Sequence, residues 1–335
     1  MKEKKGFGGC WKKLSGSREL SLVAVLVLLC AVIQLRNNTF LTAKTIADLL
    51  KNYSTTITIS LGMMSVLLIG GIDIAVRPTL AFSGMCASLM MRDGVYSSTL
   101  VMFLVSIAIG TLCGMLVGLI IAKGGVQPII ATLGMCNIYR GATYIVSNSA
   151  WVSAYQFQSS FKEFAQTNTL TGGLMNNLVF ITLVCYIVFF VVMKWTTFGR
   201  RIYAVGSNPE AAAVSGIRIS RIRFFVYTIA GAFAGLTGAM YTALYASAMS
   251  DMGAGMEMDA IASSVIGGTL MSGGVAFLPG TLLGVLIQGV IQTFITFQGT
   301  LSAWWTRIII ALLLCLFIVI QAVVSRSRQR LNSEH

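Results

Sequence analysis

The chain has 335 residues, of which 56% are hydrophobic and only 10% charged, and its formal net charge at pH 7 is +13. Soluble domains carry about a quarter charged residues, so this composition excludes an ordinary soluble globule and points to a membrane protein. Alternating strand patterns are absent, which leaves helices rather than a closed barrel to satisfy the backbone in lipid.

The positive charge sits at the ends. Lys2, Lys4, Lys5, Lys12, Lys13 and Arg18 precede the first apolar run, and Arg326, Arg328 and Arg330 follow the last. Basic residues beside spans mark the cytoplasmic side and touch anionic lipid head groups, so no nucleic-acid partner is expected. The chain reads as a basic cytoplasmic segment at 1–19, a transmembrane domain at 20–322 with a cytoplasmic loop at 194–223, and a basic cytoplasmic tail at 323–335.

Ten apolar runs lie at 20–35, 53–70, 78–91, 96–122, 128–147, 177–193, 224–246, 257–270, 276–297 and 303–321. A crossing helix needs roughly 20 residues, so the third and eighth are short or broken. The first run lacks a small-x-small cleavage site and reads as an uncleaved span. Ten crossings from inside end inside, which gives an all-α polytopic bundle with both termini cytoplasmic. The 194–223 loop then falls inside, as its five arginines and one lysine demand, and the polar loop at 148–176 falls outside.

Before the second run, Phe40, Leu41, Ile46, Leu49 and Leu50 alternate with polar residues at helical spacing. Two readings stand: an interfacial amphipathic helix, or a connecting helix packed on the bundle. Glycines recur at i and i+4 (Gly110, Gly114 and Gly118; Gly231 and Gly235; Gly280 and Gly284), the pattern that lets helix backbones approach closely in lipid. Gly-Gly pairs at 70–71, 124–125, 267–268 and 273–274 predict broken helices. Loose backbone at membrane depth is tolerated where it is buried in protein or faces water, a construction used for transporter sites.

The 194–223 loop contains a self-capped helix. Asn208 is a good N-cap, Pro209 suits the first helical position, Glu210 faces the positive end of the helix dipole, Ala211, Ala212 and Ala213 favour helix, and Gly216 can end it in the left-handed conformation. A helix of about two turns with little to bury is either a surface for another protein or a solvated connector that carries topology charges.

A charge at membrane depth costs roughly 2.5–3.5 kcal/mol, and uncharged polar groups or loose backbone there also need a partner or water. Asp73, Asn137, Arg140, Glu257, Asp259 and the Gly267–Gly268 break are therefore candidate pathway residues, with interfacial solvation as the alternative for Asp73 and Glu257. A bridge from Arg140 to Asp259 or Glu257 would neutralise it, but spacing does not choose between them. Trp304 and Trp305 read as interfacial anchors, or as rings available for stacking. No phosphate-binding G-x-x-x-x-G-K-[ST] loop is present, and the only histidine is His335. No catalytic set, metal site or bound cofactor is expected.

GGIDIAV, QPIIATLGMCNIYRG, TTFGRRIYAVGSNPEAAAVSGIRI and MEMDAIASSVIGGTLMSGGVAFLPGTLLGVLIQG, in that order, resemble the permease subunits of bacterial ATP-binding-cassette (ABC) importers for ribose-type monosaccharides. The C-terminal part looks most like a permease subunit of the galactofuranose importer. The resemblance implies that residues 208–216 couple to a separate ATP-binding subunit, which uses the ATP. It also implies a second permease, the same or a paralogous chain, and an extracytoplasmic sugar-binding protein. One departure stands out: Arg77-Pro78 replaces the family's Gly-Ser after GGIDIAV. The competing readings are a stand-alone secondary sugar transporter, a membrane-embedded enzyme, for which no converging nucleophile, acid and base are visible, and a purely structural subunit.

Overall fold

The computed structural model describes residues 18–36, 40–168, 170, 175–298 and, further on, the helical stretches 304–305, 308–312, 315–316 and 319. Both basic termini, and the orientation reading that rests on them, lie outside the described residues, as does much of the tenth run. Nine helices cover the first nine apolar runs: α1 (Arg18–Arg36), α2 (Ala43–Leu68), α3 (Val76–Arg92), α4 (Thr99–Ala122), α5 (Pro128–Ser147), α7 (Asn177–Trp195), α10 (Ile219–Tyr245), α11 (Met256–Ile266) and α12 (Leu278–Gln298). Three shorter helices join them: α6 (Ser159–Phe164), α8 (Thr197–Ser207) and α9 (Pro209–Val214). Of the described residues, those of four helices, α4, α7, α10 and α12, make runs long and apolar enough to cross a membrane by length and composition. Among the described residues there is no named strand, only a bridge between Val152 and Ala248.

Helix α2 falls below that hydropathy because it carries serines and threonines, yet it is buried from Ser54 to Leu68. Its hydroxyls are satisfied within the helix: Ser54 donates to the Lys51 carbonyl at 2.6 Å, Thr58 to Ser54 at 2.8 Å, Ser60 to Thr56 at 2.6 Å and Ser65 to Gly62 at 2.7 Å. A hydroxyl bonded back to its own helix adds little cost in an apolar interior. The amphipathic stretch before it is neither a separate interfacial helix nor a connector. From Ala43 onward it is the first turns of α2, capped by Thr42, whose hydroxyl accepts the Thr45 N–H.

Helix α10 is the hub, and glycines bring its neighbours close. A Cβ on Gly110 would lie 2.5 Å from the Gly231 carbonyl oxygen, one on Gly114 2.5 Å from the Tyr227 carbonyl oxygen, and one on Gly118 2.8 Å from the Phe224 carbonyl oxygen. The Gly110, Gly114, Gly118 stripe of α4 thus seats on Gly231 and Gly235, and Ser106 donates to the Gly235 carbonyl at 2.6 Å. Gly280 and Gly284 of α12 meet Gly267 and Ser263 of α11 in the same way. Dispersion between close backbones holds helices together where lipid tails give no hydrophobic drive.

The 148–176 loop is more than a polar connection. Phe157 and Phe161 are buried in the core cluster that includes α4 and α10 residues, and Val152 exchanges hydrogen bonds of 2.9 and 3.0 Å with Ala248.

Candidate functional site

The charged 194–223 stretch holds two helices where the sequence announced one. Helix α8 buries Gly199, Ile202 and Val205 on one face and exposes Arg200 and Arg201 on the other. Its signal was present in Phe198, Ile202 and Val205 at helical spacing, masked by arginines and glycines. Helix α9 begins as its residues dictate. Asn208 is the N-cap, its side-chain oxygen accepting the Ala211 N–H at 3.0 Å, Pro209 is first, and Glu210 lies in the first turn. Gly216 has φ +80°, and the Gly216 and Ile217 N–H groups close the end onto Ala213 and Ala212. Only Ala212 is buried. Glu210, Ala211 and Ala213 are exposed, and Val214 is 91% exposed.

The base of this projection is fixed by main chain. A Cβ on Gly206 would overlap the Leu68 carbonyl at the end of α2, and that same carbonyl accepts the Gly274 N–H at 2.9 Å. Gly70, Gly273 and Gly274 have φ of +72°, +86° and +81°, conformations that a side chain would strain. The Tyr203 hydroxyl donates to the Ala276 carbonyl at 3.0 Å. Two of the Gly-Gly pairs thus meet at one junction, where α8, the end of α2 and the 267–277 loop come together.

The charges at depth are arranged differently from the expected pairing. Arg140 does not bridge to Asp259 or Glu257; its guanidinium lies 3.5 Å from Asp251. Arg77 also bonds the Asp251 carboxylate, and its guanidinium donates to the Asp251 carbonyl at 3.2 Å. One carboxylate therefore ties α3 and α5 to the loop before α11. Asp251 was missed because nothing local marks it. Arg77 is buried, whereas the Arg140 and Asp251 side chains are 47% and 57% exposed. The Arg77-Pro78 departure fits this fold. Pro78 falls in the first turn of α3, where its missing N–H costs nothing.

Asp73 is 5% exposed and lies in the turn just before α3, its carboxylate accepting the N–H of the N-cap residue Ala75 at 2.9 Å. Asn137 is exposed on α5 and donates to the Leu133 carbonyl of its own helix at 3.2 Å. Gly134 and Gly141, one turn either side, face open space. Glu257 and Asp259 are two residues apart in the first turn of α11, which sets them on nearly opposite faces. Glu257 is within electrostatic reach of Cys136, as are Arg77, Arg140 and Asp73. Gly267 packs on Gly280, and Gly268, at φ +97°, continues the break.

Asp259 instead lines a cleft of about 520 Å³ between α2, α10, α11 and α12. Tyr53 there donates to the Gln292 side-chain oxygen at 2.6 Å, and the Tyr241 and Tyr245 rings stand 4.5 Å apart. These residues were missed because each reads as an ordinary member of its own apolar helix. Among the described residues no group of histidine, cysteine, aspartate and glutamate could hold a metal ion.

The family described as branched-chain amino acid transport system / permease component matches residues 45–318. The chain is 34% identical over 282 residues to the inner membrane ABC transporter permease protein YjfF of Escherichia coli K12, covering 84% of this chain and 85% of that one. It is 33% identical over 307 residues to the ribose import permease RbsC of the same organism, covering 90% and 92%. It is 30% identical over 328 residues to the fructose import permease FruG of Bifidobacterium longum, covering 96% and 94%. No solved structure matches it.

Proposed function

The chain belongs to the family of branched-chain amino acid transport system permease components, among the permeases of sugar-importing ABC systems in the bacterial inner membrane, and from that premise we propose that it is the passive, translocating half of a monosaccharide importer. It binds no ATP itself. A separate ATP-binding subunit hydrolyses ATP and engages α9. A second permease, the same chain or a paralogue, completes the pathway, and an extracytoplasmic binding protein delivers a galactofuranose- or ribose-like sugar. The chain crosses the membrane ten times with both ends inside and works by alternating access, rocking against its partner permease as the ATP-binding subunits close and open.

The observation that carries this reading is α9. It is a capped helix anchored through Ala212 alone, with Val214 projecting, on a base clamped to the core at Gly206. A solvated connector needs neither the cap nor the clamp, whereas a docking element needs both. Glu210→Arg reverses the charge at the positive end of the helix, and Gly216→Val forces a β-branched residue into φ +80°, costing about 1–2 kcal/mol. Both should abolish sugar-dependent ATPase activity of the reconstituted complex while membrane insertion stays normal. Retained activity in both variants rejects the coupling role.

A further inference from the structure

We infer that the cleft between α2, α10, α11 and α12 is a weak binding station for a neutral monosaccharide, built inside this one subunit; the inference rests on the sugar-permease reading. Its position comes first. Asn52 at the cleft and Leu68 at the α8 junction stand on one helix, and 16 residues of helix measure about 24 Å. The cleft therefore opens at the end of the bundle opposite α8 and α9, which in the ten-span orientation is the outer side, where sugar arrives.

Its chemistry comes second. A groove that only met lipid would be apolar, because each polar group left unbonded in hydrocarbon costs several kcal/mol. This one gathers Asn52, Tyr53, Tyr241, Tyr245, Asp259 and Gln292. The tyrosine pair offers ring faces for the C–H side of a pyranose or furanose. Asn52, Asp259 and Gln292 offer the amide and carboxylate groups that bond neighbouring hydroxyls. Tyr53 donates to the Gln292 oxygen, which fixes the amide and turns its N–H donors to use. No lysine or arginine is among the described lining residues, whose one charged side chain, Asp259, disfavours a phosphorylated or acidic sugar. At about 520 Å³ the cleft is within the range of small-molecule pockets and larger than one sugar ring. A loose fit suits a station that must release its cargo.

The test uses the complete importer in vesicles, with both permeases, the ATP-binding subunits and the binding protein, and labelled galactose and ribose as probes. Gln292→Leu and Asp259→Asn should each lower uptake of the accepted sugar about tenfold, as expected for a lost polar contact, while binding-protein-stimulated ATPase activity is retained. In intact cells an impermeant maleimide should label Thr293→Cys, and the accepted sugar should slow that labelling. Wild-type uptake in both variants, or loss of ATPase activity together with uptake, overturns the cleft and leaves the permease reading intact, as does labelling that neither sugar slows. Failure of the wild-type complex to carry either sugar overturns the permease reading, and the cleft with it.

Discussion

Asp251 answers for two cations. Among the described residues buried Arg77 has this carboxylate as its ion-pair partner and the Asp251 carbonyl as a hydrogen-bond acceptor, while Arg140 leans on the same carboxylate oxygen from the open side. Truncating one member of a buried pair leaves an uncompensated charge, at about 3–5 kcal/mol. Asp251 is half open to solvent, which screens the interaction, so Asp251→Ala should lose about 1–2 kcal/mol. A thermal melt of the purified chain in detergent should fall by a few degrees. Adding Arg77→Met should restore most of that loss, because the buried charge has gone; a double variant no more stable than Asp251→Ala would show that the stranded Arg77 charge is not what makes the single variant costly. Sequence reasoning reached Arg140 and noted Arg77, because cations in apolar runs stand out. It could not reach their partner, since the contact with Arg77 spans 174 positions of chain and no local pattern encodes it. Asp73 was equally visible, but its bond to the Ala75 N–H ahead of α3 depends on a backbone turn that only the fold defines.

At the scale of elements, the first nine apolar runs each became a helix, because runs of that length and period have little alternative in lipid. The glycine stripes were legible for the same reason: the four-residue period fixes a face before any partner is known. Which stripe met which was not. Where α2 began was also misread, since the polar period of its first turns and the apolar period of its later ones are both helical, and nothing in between breaks them. The stripes now give a contrast that can be measured. Gly231→Ala places a methyl against the Gly110 carbonyl and the Gly114 Cα at 2.6 Å, and should cost about 1–3 kcal/mol or more of stability through forced separation of α4 and α10. Gly134→Ala meets nothing within 4 Å in the middle of α5 and should leave stability unchanged or raise it by up to about 1 kcal/mol, through the helix propensity of alanine. Equal melting temperatures for the two variants would contradict the packing described.

For the whole molecule, the proposed division of labour makes one demand: the route opens only when something outside the chain pushes. Vesicles containing this chain and its companion permease, with an ion gradient but no ATP-binding subunit, should accumulate no labelled sugar, and robust uptake would replace the proposal with a secondary transporter. Val214→Asp should weaken co-purification of the ATP-binding subunit, because a charge would replace the exposed apolar knob of α9.

The joint at Gly206, Leu68 and Gly274 sharpens that demand. Main chain meets main chain there, so no rotamer can give way and absorb a displacement. Under the proposed coupling, a shift of α9 that moves α8 would pass to the foot of α2, and α2, a rod of about 24 Å, would carry it toward Tyr53. The grip of the far cleft on a solute would then be set by the nucleotide bound beyond the other face of the membrane.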